Sequence, residues 1–133
     1  MLSTQAIFAM YVPDVRAALD FYTDKLGFRV ITDHADDEFS YATAAPEGAT
    51  WRLIFSRPDI HGPELAERFE AEVGFSPHFL LAAEDLGAEI KRLERAGVEI
   101  VDHPTLQATG MIQAHVKDLY GNVITLIAES DLF

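Results

Sequence analysis

Two stretches of this sequence set chemically useful residues at a spacing that an extended chain turns to one side. Gln113 and His115 are two apart, as are Arg52 and Ile54, and in a strand residues i and i+2 share a face. An imidazole titrates near neutral pH and can act as a general base. A guanidinium is a permanent cation whose planar fork of donors suits oxygen-rich anions. His78, at the head of an apolar run, is a third candidate, whereas His34, His61 and His103 stand beside Asp, Gly or Pro in turn-like contexts and are expected at the surface.

Other chemistries lack their residues. There is no cysteine, hence no thiolate nucleophile, Cys-held metal or disulfide frame. The sequence contains no glycine-rich phosphate loop, Gly-x-Ser-x-Gly elbow or His-Glu-x-x-His helix, and its Ser, His and Asp follow no triad order. The acidic run DHADDE at 33–38 has no calcium-loop spacing and reads as a hairpin turn.

Strands are needed to present these side chains, and the chain supplies them twice. The apolar run 6–12 predicts a strand ending at Pro13, after which Asp14 caps a helix with Val15, Ala18, Leu19, Tyr22 and Leu26 on one face and Gly27 as its stop. Runs at 28–32, 39–43 and 50–55 predict three further strands. Segment 58–76, punctuated by Pro58, Gly62 and Pro63, reads as a linker with a short helix opened by Pro63. The plan then returns: a strand at 78–83, the cap Asp85, the helix face Leu86, Ile90 and Leu93, the stop Gly97, and strands at 98–101, 111–116 and 122–128 with the turn Asp118–Asn122 before the last. Asp14 and Asp85 are 71 residues apart and Gly27 and Gly97 are 70 apart, so an internal duplication of a βαβββ unit is expected. Two such modules, about 1–57 and 77–130, predict a single α+β domain whose curved mixed sheets surround a cavity.

The 133 residues, 49% of them hydrophobic, are enough for a folded core. A formal charge of −12 argues against nucleic acid and anionic membranes as partners. The N-terminal stretch carries no basic leader with an apolar core, and no window reaches the roughly 18 apolar residues of a membrane helix. A cytoplasmic protein is expected.

The repeat resembles the vicinal oxygen chelate superfamily of glyoxalase I, bleomycin-resistance proteins, fosfomycin-resistance enzymes and extradiol dioxygenases. Val12-Pro-Asp14, Phe21-Tyr22 and Leu26-Gly27-Phe28 carry the likeness in the first half, and His78, Asp85, Leu93, Ala96-Gly97-Val98 and Asp118-x-x-Gly121-Asn122 in the second. Enzymes of that superfamily commonly hold a divalent metal through a His or Gln on the first strand of a module and a Glu on the last. Seven residues before the caps stand Ile7 and His78; where the family has Gly-Asn-x-x-Glu, this chain ends in Thr125, and the first-module counterpart is aligned to Arg52. The resemblance therefore implies no metal and no cofactor, since one His cannot hold a catalytic ion and a fixed cation repels it.

By resemblance to the fosfomycin-resistance members, the Gln113 and His115 face looks into the cavity, with Tyr41 in the comparable place of the first module. The expected ligand lining is Tyr41, Arg52, Ile54, His78, Gln113, His115 and Thr125. The opposite setting of the 50–55 strand would instead turn Trp51 and Phe55 inward as an aromatic platform. Two functions follow from the resemblance. One is a small-molecule-binding protein of the bleomycin-resistance type, without the metal and paired as a homodimer. The other is a lyase, isomerase or dioxygenase with a rearranged metal site or with His78 or His115 as general base. Leu132 and Phe133 suit either an interface or a flexible tail.

Overall fold

A computed structural model describes residues 1–131; Leu132 and Phe133 lie outside the described residues. The chain divides into two compact units, Met1–Pro77 and a second beginning at His78.

In the first unit β1 (Ile7–Tyr11), α1 (Val15–Asp24), β2 (Arg29–His34), β3 (Tyr41–Ala45) and β4 (Arg52–Ser56) build a four-stranded sheet in the order β1-β4-β3-β2. β1 runs parallel to β4 and the other pairs are antiparallel. Asp14 starts α1 by accepting from the Ala17 backbone N–H at 3.0 Å, which satisfies one of the donors a helix start leaves open. The helix stops at Lys25, so Leu26 lies in the turn, and Gly27 at φ +78° lets the chain reverse. Val15, Ala18, Leu19 and Tyr22 on α1 are buried, as are Met10, Ala42, Ala44, Leu53 and Phe55 of the sheet. Segment 58–76 goes with this unit. Its helix α2 (Pro63–Glu70) opens at Pro63 as the sequence predicts, and Phe69 stacks on Tyr11 of β1 with ring centres 4.3 Å apart.

The second unit repeats the plan with β5 (Leu80–Ala83), α3 (Leu86–Arg95), β6 (Glu99–Leu106), β7 (Ile112–Lys117) and β8 (Val123–Ala128) in the order β5-β8-β7-β6. Asp85 caps α3 through the Ala88 N–H, again at 3.0 Å. Leu86, Ile90 and Leu93 are buried, as are Ala114, Val116, Ile124 and Leu126. The Asp118–Asn122 turn is scaffold. Asp118 accepts from the Tyr120 and Asn122 backbone N–H groups, both at 2.9 Å, and from the Asn122 side-chain amide at 2.8 Å. β6 runs through Pro104 and ends at Leu106, five residues beyond the predicted strand. As the edge strand it can hold a residue that donates no ladder bond. Both four-stranded mixed sheets give the α+β architecture expected of the repeat. No helix among the described residues is long and apolar enough to cross a membrane.

Candidate functional site

Each sheet has one face under its helix and one turned away, and cross-strand pairing shows what the second face carries. Leu53 and Phe55 are fully buried on the α1 side, and Phe55 meets Tyr22 at 5.0 Å. Alternation therefore puts Arg52, Ile54 and Ser56 on the face away from α1. This rules out Phe55 as part of an aromatic platform on that face. Trp51, just before β4, meets Phe28 and Phe8 edge-on at 6.3 and 6.1 Å.

Three rows cross the face away from α1. His34, Tyr41, Ser56 and Tyr11 pair in sequence across the four strands, then Thr32, Thr43, Ile54 and Ala9, then Arg52 with Ile7. His34 lies 4.8 Å from Tyr41, while His61 packs edge-on against Tyr11 at 5.5 Å and Phe69 at 4.8 Å. The first row is thus an aromatic and hydroxyl edge. Burial pushes the Tyr11 phenol above its ordinary range, and the nearby charge of Glu72 adds to the shift. In the second row the Thr32 and Thr43 hydroxyls are 2.6 Å apart.

The face away from α3 has the same rows with different residues. Asp102, His115, Thr125 and Leu80 form one, and Thr105, Gln113, Ile127 and Ala82 the next. Gln113, His115 and Thr125 thus share a face of one sheet. His115 Nδ1 lies 2.9 and 3.1 Å from the two Asp102 carboxylate oxygens, and the His115 backbone N–H donates to Asp102 Oδ1 at 2.8 Å. His78 is exposed and precedes β5; it is not part of the strand predicted to hold it.

The pairing also corrects one alignment. Thr125 lies beside Leu80, five residues before the cap Asp85; the residue beside Ala9, five before Asp14, is Ile54. Ile54, not Arg52, is therefore the counterpart of Thr125. Arg52 sits one row further along beside Ile7, so a neutral apolar side chain takes the family's carboxylate position in this module.

Asp102, Tyr11, His34 and His61 join these faces without having been expected there. A regular alternation would place Asp102 with Ile100, facing α3. A register shift between Ile100 and Asp102 turns it over, and the same shift occurs between Val30 and Thr32 in the first unit. A separate cleft of about 480 Å³ lies in the first unit along the linker, lined by Pro13, Arg57, Pro58, Asp59, Ala66, Glu70 and Val73. None of the seven expected residues lines it.

Comparison with known proteins gives a consistent neighbourhood. The model of the Glyoxalase/Bleomycin resistance protein/Dioxygenase superfamily matches residues 4–126. An uncharacterized protein, YetH of Bacillus subtilis (strain 168), is 32% identical over 120 residues, covering 89% of this chain and 92% of YetH. Among solved structures, TnmS3, described as an antibiotic binding protein from Streptomyces sp. CB03234, superposes with a TM-score of 0.76 at 28% identity over 96% of both chains. UcmS2 superposes with a TM-score of 0.78 at 24% identity over 96% of this chain and 98% of its own, a likeness of fold.

Proposed function

The chain belongs to the Glyoxalase/Bleomycin resistance protein/Dioxygenase superfamily, and from that premise we propose that it binds a small organic molecule on the sheet faces turned away from α1 and α3, without the metal that the superfamily's enzymes use. The observation that carries the reading is the content of those faces. Aromatic, hydroxyl, amide and imidazole groups are gathered on them in rows, while the family's carboxylate positions hold Ile54 and Thr125. Such a mixture of apolar surface and a few placed polar groups is what ligand sites use. The similarity to an antibiotic binding protein at 28% identity supports the same reading.

The proposed ligand-binding residues are Tyr41, Arg52 and Ile54 on the first unit's face and Gln113, His115 and Thr125 on the second unit's, with His78 just ahead of β5. Ile7 and Leu80, on the first strand of each sheet, are 58% and 57% exposed, and both strands are sheet edges. Covering them is the role we assign to a second copy of the chain, giving a homodimer that light scattering would detect. Cytoplasmic localisation, with neither nucleic acid nor membrane as partner, completes the proposal, on the −12 charge and the absence of cysteine.

A thermal-shift screen of cationic drugs against small anionic or oxygen-rich metabolites tests this reading, accompanied by metal analysis of the purified protein. Stabilisation by oxygen-rich compounds, weakened in Arg52→Ala, is expected. Stabilisation by cations alone would overturn the proposed lining, and a stoichiometric divalent ion lost in His78→Ala would overturn the metal-free reading.

A further inference from the structure

We propose that the Asp102–His115 pair makes the second module's sheet face a proton-accepting site, and that the ligand it selects carries an acidic hydroxyl, as a phenol or enol does. The inference rests on the ligand-binding reading above and names the chemistry of the ligand.

An ionised carboxylate only accepts hydrogen bonds. With Asp102 oxygens 2.9 and 3.1 Å from Nδ1, the ring proton of neutral His115 sits on Nδ1, leaving the Nε2 lone pair at the far side of the ring. Asp102 Oδ1 also takes the His115 backbone N–H, so one residue fixes the carboxylate through two donors, and the carboxylate in turn fixes the ring. The His115 side chain is 26% exposed and can therefore be reached. A ligand hydroxyl donating to Nε2 finds a base whose conjugate acid is held by a carboxylate. When the proton crosses, the ligand O–H bond breaks, an Nε2–H bond forms, and the electron pair stays on the ligand oxygen. Imidazolium then lies between Asp102 and the new oxyanion.

The neighbours suit such a ligand. Thr125 stands beside His115 on β8, and Gln113 shares its face on β7. The charged groups on this face are Asp102 and Glu99 on β6 and Lys117 on β7, with Glu99 paired to Lys117. The strand positions of β8 and β5 on this face carry none, and α3 packs on the other side through Leu86, Ile90 and Leu93.

The full chain would be titrated with 4-nitrophenol and with its methyl ether, 4-nitroanisole, by equilibrium dialysis and absorbance. The expected result is at least about tenfold tighter binding of the phenol, the effect of a hydrogen bond to a charged group, with the phenolate band appearing in the bound fraction at a pH where the free phenol is un-ionised. Asp102→Asn keeps an oxygen for the His115 backbone N–H but removes the charge, and should abolish both the preference and the band, as should His115→Gln. His103→Gln should change neither. Equal binding of phenol and ether, or a phenolate band that survives Asp102→Asn, would overturn the inference while leaving the small-molecule reading standing. Binding of neither probe would also overturn it, and the thermal-shift screen then judges the small-molecule reading separately.

Discussion

In the first module Thr32 and Thr43 meet across β2 and β3, 2.6 Å apart; at the same place in the second module Asp102 and His115 meet across β6 and β7 at 2.9 Å. Thr32 and Asp102 follow the same register shift in β2 and β6, and the two pairs sit in the same row as Ile54 and Thr125 respectively. One scaffold has thus been given two chemistries. A pair of hydroxyls shares a hydrogen bond without charge, whereas a carboxylate and an imidazole can take up a proton. The duplication keeps caps, stops and strand order, and varies what the face away from the helix presents.

The cores differ in the same spirit. Tyr22, Phe28 and Phe55 interlock under α1 with ring centres 5.0 to 5.3 Å apart, while the buried large side chains under α3 are aliphatic: Leu86, Ile90, Leu93, Ile124 and Leu126. Phe55 and Leu126 are counterparts, 71 residues apart and both buried. Phe55→Ala is expected to cost about 3–5 kcal/mol and Leu126→Ala about 2–5 kcal/mol, with the first larger because ring contacts go with the apolar burial. Urea unfolding of the two variants checks the order; a larger loss from Leu126→Ala would break the picture of an aromatic first core.

Where the modules are alike, the expected effects are equal. Asp14 and Asp85 each accept from the backbone N–H three residues on, at 3.0 Å. Asp14→Ala and Asp85→Ala should each cost about 1 kcal/mol, the usual loss of a capped donor. Thermal melts of the two single variants compare them directly. A cap that matters in one module and is silent in the other would show that the likeness of the two helices is only geometric.

The sequence displays the parts that repeat with a simple period and hides those that depend on a break in it. Asp14, Asp85, Gly27 and Gly97 are local signals acting on their own turns, so both helices and the order of all eight strands can be read directly. Arg52 and Ile54, and likewise Gln113 and His115, share faces because β4 and β7 alternate without interruption. Asp102 is invisible because an extra residue in β6 reverses its side, and no residue type announces that bulge. The exchange of Ile54 for Arg52 has the same origin: alternation finds the face but not the row, and the row is set by pairing with β1. His34 is exposed and tied to Asp37, as its turn context suggests, whereas His61 looks like a surface residue and is packed against aromatic rings. Only the stacking of α2 on Tyr11, a contact between distant segments, brings His61 into the aromatic edge.

The smallest effect is expected at the surface, where each module ties helix to sheet through a polar pair whose acid is on the sheet in the first and on the helix in the second. Asp33 and His103 are counterparts, 70 residues apart. Asp33 is gripped by Arg16 of α1 through two contacts of 2.9 Å, with Asp36 a third at 2.9 Å, while His103 Nε2 lies 3.0 Å from Glu94 of α3. The Arg16 guanidinium, helped by the Ala35 backbone N–H, holds the Asp33 carboxyl below the usual carboxylate range. A carboxyl depressed in the folded state stabilises it fully above its unfolded value of about 3.9, and that contribution is lost as pH falls through the folded value. Arg16→Gln should therefore melt below the wild type at neutral pH, and the two curves should converge in acid. Because Arg16 and Asp33 side chains are 39% and 36% exposed, the gap should be modest and should narrow in high salt. A gap that persists unchanged through the acid range would mean that Arg16 acts through the packing of its alkyl stem. The Arg16–Asp33 pair would then have no part in holding α1 to its sheet.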